Sequence, residues 1–108
     1  MPLYMYRVGY TPESWAEQTK KPVNREEALK PAVKALGGRI LSFYYAFGDD
    51  DVIAIAQMPD NKAAAAFAIA AASGGALSHI TTTPLMSVSE GMGAMRASKR
   101  AKYVAPGS

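Results

Sequence analysis

RILSFYYAFGDDDVIAIAQM, residues 39–58, is the stretch on which the fold turns. Arg39 to Phe47 are dense in β-branched and aromatic side chains, which suit a pleated, half-buried surface. Gly48-Asp49-Asp50 supplies turn chemistry, and Asp51 to Met58 reads as a return strand, so the stretch predicts a β-hairpin. On strand periodicity Leu41, Phe43, Tyr45 and Phe47 face one way, and Ile40, Ser42, Tyr44 and Ala46 the other. In the return strand Val52, Ala54 and Ala56 oppose Ile53 and Ile55. Neither face is polar. An antiparallel sheet with one wet face alternates apolar with polar residues, so both faces of this one call for cover.

Working outward, Pro59-Asp60-Asn61 stops the second strand and caps a helix from Lys62 to about Ser73. That helix is almost all alanine, the best helix former, with Phe67 and Ile69 among the alanines. Gly74-Gly75 ends it, and Ala76 to about Pro84 reads as a further strand, rich in Thr. On the N-terminal side, Arg25 to Leu36 places Ala28, Leu29, Ala32, Val33 and Leu36 at helical spacing. Asn24 offers its cap, Gly37-Gly38 its end, and Pro31 lies inside it, implying a kink. Leu3 to Tyr10 reads as the first strand, with Tyr4, Tyr6, Val8 and Tyr10 on one face and Leu3, Met5, Arg7 and Gly9 on the other. Thr11-Pro12-Glu13 then starts a short helix that contains Trp15 and runs to about Lys20. At the other end, Ser87-Val88-Ser89-Glu90 matches a capping box and opens a C-terminal helix with Met92 and Met95 on one side.

The order is β-α-β-β-α-β with an appended helix, which predicts an α+β, ferredoxin-like fold with an antiparallel sheet. Its two helices can cover only one sheet face. A partner sheet is the natural cover for the other, so a homodimer packed sheet to sheet, or a larger homo-oligomer, is expected. Residues 1–102 are read as a single domain and 103–108, YVAPGS, as a flexible tail.

Composition narrows the function classes. With 49% hydrophobic residues the chain is expected to fold rather than stay disordered. It has no Cys, hence no disulfide framework, thiolate metal site or cysteine nucleophile. The longest apolar run, Ala63 to Ala72, falls short of a membrane span, and MPLYMYRVGY lacks the form of a signal peptide. A cytoplasmic protein with no membrane partner is the expectation. The net charge of +3 is too small for a nucleic-acid footprint. No cofactor and no metal are expected, because one His without Cys makes a poor zinc or haem site.

LGGRILSFYYAFGDDDVIAIAQMPDNKAAAAFAIAAASGGALSHITTTPL, residues 36–85, resembles the GYD-domain family of small bacterial proteins. The positions that carry the resemblance are Gly37-Gly38-Arg39, Phe43-Tyr44, Gly48 and Asp51, Pro59-Asp60, and Gly74-Gly75. The resemblance implies a dimeric α/β-barrel assembly and brings no established activity. Where the family usually has the Tyr of its name, this chain has Asp50.

Few residues are candidates for chemistry. His79 alone titrates near neutrality, so a general base would most simply be this side chain; the plain alternative is a packed or exposed strand residue, in phase with Leu77 and Thr81. Arg7 and Arg39 could hold an anionic group, or pair with the Asp49–Asp51 turn or a partner's Glu. Tyr6, Trp15 and Tyr44 belong to an aromatic set fit either to line an apolar pocket or to fill the core. Asp51 is the acidic residue of the turn expected to meet a buried donor, and the three Asp side chains point apart too far to chelate a cation well. Two functions follow. The chain is an assembly or small-ligand-binding module, or alternatively a cofactor-independent enzyme acting on a small, partly apolar metabolite.

Overall fold

Four hydrogen-bonded side-chain caps punctuate the chain and set its helices. Thr11 Oγ1 accepts from the Ser14 N–H at 3.1 Å, Asn24 Oδ1 from Glu27 at 3.0 Å, Asp60 Oδ1 from Ala63 at 2.8 Å and Ser87 Oγ from Glu90 at 3.0 Å. Each satisfies one of the N–H groups that a helix start leaves without a partner. The computed structural model describes residues 1–107. Its elements are β1 (Leu3–Tyr10), α1 (Pro12–Lys20), α2 (Arg25–Ala35), β2 (Arg39–Tyr45), β3 (Val52–Gln57), α3 (Asn61–Ser73), β4 (Leu77–Leu85) and α4 (Val88–Ser98). A short 3₁₀ turn, Lys99–Ala101, extends α4. Residues 103–107 form no helix or strand and are exposed, and Ser108, the last residue of the expected tail, lies outside the described residues.

The four strands pair antiparallel in the order β2-β3-β1-β4, which is the ferredoxin-like arrangement. Tyr4, Tyr6 and Ala56 on one sheet face form a buried cluster with Val33 of α2, Ala64 and Phe67 of α3, and Met58. Two hydroxyls in this cluster are anchored: Tyr4 to the Asn61 side chain at 2.5 Å, and Tyr6 to the Ala64 carbonyl at 2.8 Å. The helix α2 runs through Pro31, whose exposed position lets the carbonyl it leaves unpaired reach water.

Two irregularities in the ladder change the expected faces. Ile40 pairs with Ala56 but Ser42 pairs with Ile55, so Leu41 is an extra residue. The bulge flips the phase and brings Ile40 to the same face as Phe43 and Tyr45, leaving Leu41 out of that row. At the other edge, Gly9 pairs with His79 but Tyr10 with Leu77, so Ser78 is extra. Leu77 therefore joins the helix-covered face rather than sharing a face with His79 and Thr81.

The opposite face carries no helix. Across the strands it presents Ser42, Ile55, Met5 and Thr83 in one row, and Tyr44, Ile53, Arg7 and Thr81 in the next. Helix α4 packs on neither face. It projects from the body, which stretches the molecule to 58 × 33 × 22 Å and raises the radius of gyration to 17.4 Å. A compact chain of this length would have a radius of about 13 Å. Among the described residues no helix is long and apolar enough to cross a membrane.

The turn from α2 into β2 depends on close backbone approach. Gly37 has φ +84°, and a Cβ on Gly38 would stand 2.4 Å from Met58 Sδ and 2.5 Å from the Gln57 carbonyl oxygen. Met58 is fully buried. Gly38→Ala should therefore destabilise the domain by about 1–3 kcal/mol, the usual penalty of overpacking. Chemical denaturation would measure it, and unchanged stability would contradict the contact.

Candidate functional site

Helix α2 lies over β2 and helix α3 over β4, so the central strands between them are roofed by side chains alone. At one end of the sheet those side chains are large and close the core: Tyr4, Tyr6, Met58 and Phe67. Beside and beyond Tyr6 the roof thins: Ala54, in register with Tyr6, stands at the middle of β3, and Ala70 and Ala71 near the end of α3 and Gly74 just after it are small. The result is a cavity of about 310 Å³, bounded by these residues together with Val8, Leu29, Phe43 and Leu77. It has roughly twice the ~150 Å³ volume that accepts benzene in an engineered protein core, and it sits at the lower edge of the range of about 300–1,000 Å³ usual for ligand pockets.

Polar groups on the wall are few. The Tyr6 hydroxyl is spent on the Ala64 carbonyl. Arg25, the first residue of α2, is the only charged wall residue among those described, and Tyr10 stands beside it. Burial pushes the Tyr10 hydroxyl above its ordinary value, while hydrogen bonding and charge from Arg25 pull the other way. Burial, with a smaller contribution from Tyr4, pushes the Tyr6 hydroxyl up to about 12. Because Tyr6 titrates higher when folded than its ordinary 10.0, its contribution to stability is intact below pH 10 and declines as the pH rises toward 12. Thermal melts between pH 8 and 12 should show this alkaline loss, reduced in Tyr6→Phe. Equal alkaline slopes for the two proteins would contradict it.

The residues singled out from the sequence divide among three places. Tyr6 lines the cavity. Trp15 packs edge-on against Tyr10, ring centroids 5.2 Å apart, and borders an open groove shared with Val23, Tyr45 and Phe47. Asp51 also borders that groove, and its atoms fasten the hairpin to the end of β1. Its N–H donates to the Val8 carbonyl, and its Oδ2 accepts from the Tyr10 N–H, both at 2.8 Å. Arg7, Arg39, Tyr44 and His79 lie on the open sheet face, so Tyr44 and Trp15 stand on opposite sides of the sheet and wall no common pocket.

On that open face a polar cluster forms around Asp50. His79 Nε2 lies 2.9 Å from Asp50 Oδ1, and Arg7 Nη1 lies 3.5 Å from Asp50 Oδ2. Ser78 Oγ is 3.3 Å from His79 Nδ1. Gly9 makes the imidazole's position available, since a Cβ there would stand 2.4 Å from His79 Cε1. Asp50 is thus held by two partners. Arg39 does not reach the acidic turn; it donates to Gln57 Oε1 at 3.2 Å. Neither the cavity nor the groove is lined by Arg7, Asp50 or His79. Among the described residues no three His, Cys, Asp or Glu side chains converge to hold a metal ion.

Sequence reasoning missed Arg25, which reads as part of a solvated basic stretch with Lys20 and Lys21. The available signal was its place directly after the Asn24 cap, where a side chain stands at a helix mouth. It also missed Ala54, whose methyl group faces the helices between two aromatic neighbours in register, Tyr6 and Phe43.

The pattern of one known family extends over most of this chain: the model of the GYD domain matches residues 4–95. Comparison with curated proteins finds no match.

Proposed function

This chain belongs to the GYD-domain family, and from that premise we propose that it is a homo-oligomeric protein of the cytoplasm that binds a small, partly apolar molecule. The cavity between the sheet and helices α2 and α3 carries this reading. It opens to solvent beside the end of α3, as an entry path requires, and it is walled almost wholly by apolar side chains with one cation at its edge.

Self-association rests on two apolar surfaces that lack intramolecular cover. One is the open sheet face with Met5, Ile53 and Ile55 at its centre. The other is the projecting arm, on which Val88 is 81% exposed, Met92 47% and Met95 71%. Four strands at ~4.8 Å spacing and about 26 Å long offer a footprint of roughly 500 Å². A standard interface takes about 800 Å² per partner. The sheet face alone therefore falls short, and the arms supply the remainder in a sheet-to-sheet dimer of the α/β-barrel type. Residues 1–87 carry eight acidic and eight basic side chains, so the whole excess of positive charge sits on the arm. It lies at the far end of the arm, on Lys99, Arg100 and Lys102, past the apolar stripe.

One observation favours a second reading, a cofactor-independent enzyme: the carboxylate of Asp50 orients the His79 imidazole. The sheet separates that pair from the cavity, however, so a molecule in the cavity does not reach it. Binding is the better reading. Sedimentation of the purified chain with and without 4-phenylbutan-1-ol tests both parts. A dimer and saturable uptake of one probe per chain are expected. A folded monomer at micromolar concentration would refute the assembly, and failure to take up the probe would refute the site.

A further inference from the structure

We propose that the cavity selects an amphipathic carboxylate, an aromatic or alkyl body ending in a single anionic group held by Arg25; this rests on the binding role proposed above and names its ligand class. Arg25 is the only charged residue on the cavity wall among those described, and no described carboxylate lies within ion-pair distance of its guanidinium. Of the nearby acids, Asp51 Oδ2 accepts from the Tyr10 N–H and Glu27 Oε1 accepts from Lys30 Nζ at 2.7 Å, while Glu26, next in the chain, makes no ion pair with Arg25 and does not line the cavity. A partly exposed cation at the edge of an apolar wall is best matched by an anion that brings its own apolar body.

A second feature suits an anionic group at the same point. The Tyr10 hydroxyl beside Arg25 is neutral over the physiological range, so it can donate a hydrogen bond to a carboxylate oxygen. The planar fork of arginine binds a carboxylate through two parallel N–H donors, whereas lysine would offer a point charge only. The rest of the cavity sets the body of the ligand. Twice the volume that accepts benzene corresponds to one aromatic ring with a short chain, or a medium-length alkyl chain.

Calorimetric titration of the intact protein with 4-phenylbutyrate and with its neutral counterpart 4-phenylbutan-1-ol provides the test. The wild-type chain should bind the carboxylate at least tenfold more tightly than the alcohol. Arg25→Met should erase that preference, bringing the carboxylate's affinity down to that of the alcohol in the same variant, and Arg25→Lys should retain part of it. Circular dichroism would establish that each variant is folded, as expected for changes at a partly exposed helix start. Equal binding of the two probes by the wild type, or a preference that survives Arg25→Met, would overturn the carboxylate assignment while leaving the cavity as a binding site. If neither probe binds at millimolar concentration, both the assignment and the binding role fall.

Discussion

Replacing Ala54 by Phe is expected to weaken binding of small apolar probes at least 100-fold while leaving the chain folded. The Ala54 methyl group faces the cavity from the centre of β3, between Tyr6 of β1 and Phe43 of β2. A phenyl ring built from this position enters the void itself and takes up about half of its 310 Å³, since a benzene-sized cavity is ~150 Å³. In a close-packed core the same substitution would force its neighbours apart. Here the space already exists, so stability should stay level or rise by the ~0.5–2 kcal/mol typical of cavity filling. The loss of binding corresponds to about 2.7 kcal/mol or more. Calorimetry with 4-phenylbutan-1-ol would read the affinity and a thermal melt the stability. Undiminished binding by a folded Ala54→Phe variant would mean that the probe sits elsewhere.

The second large effect is expected at the uncovered face. Ile55→Asp should turn the proposed dimer into a monomer at concentrations where the unsubstituted chain is expected to stay associated. Ile55 pairs with Met5 on one side and Ser42 on the other, near the middle of the face that no helix covers. In a two-fold interface the substitution appears twice and places carboxylates against apolar side chains. The aspartate side chain is too short to reach the rim. Burying an unpaired carboxylate costs several kcal/mol per ion, so the dissociation constant should rise by a factor of ~1,000 or more. In the isolated chain the same face is open to water, and the penalty reduces to the weaker strand preference of Asp, about 1 kcal/mol. Sedimentation velocity together with circular dichroism separates the two. A folded Ile55→Asp dimer would remove the sheet face from the interface.

Much of the fold was legible in the sequence because its punctuation is local. Thr11, Asn24, Asp60 and Ser87 each act within three residues of their own position, and each is found capping the helix it was expected to start. The hairpin over residues 39–58 was equally readable from its apolar strands and acidic turn. The bulges at Leu41 and Ser78 were not, because an extra residue in a ladder is set by the register of a neighbouring strand. That is why Ile40 and Leu77 were expected on the wrong faces. The separation of α4 from the body was hidden for a similar reason. Its capping box and its Met92 and Met95 stripe describe a helix but not what it packs on.

The candidate site was less legible than the fold. An alanine-rich helix suggests close approach to a sheet, yet here α3 lies over the edge strand β4, and its alanines leave a void above the central strands. Whether small side chains close a gap or leave one depends on where the helix axis lies, which composition does not specify. His79 was open to a proton-carrying or a plain strand role and Arg7 to an anion or the acidic turn; the structure joins both to Asp50 of that turn on the open face. Arg25, read from the sequence as one charge among several on the surface, owes its position at the cavity to the start of α2.

Methyl-resolved NMR of the protein titrated with 4-phenylbutan-1-ol tests most directly whether the space between the sheet and helices α2 and α3 is a binding site. The methyl signals of Val8, Leu29, Leu77 and Ile80, all on the cavity wall, should shift together and saturate. Those of Ile53 and Ile55 on the opposite face, and of Met92 and Met95 on the arm, should stay in place. Shifts confined to the open face or the arm, with the wall methyls unmoved, would contradict the account.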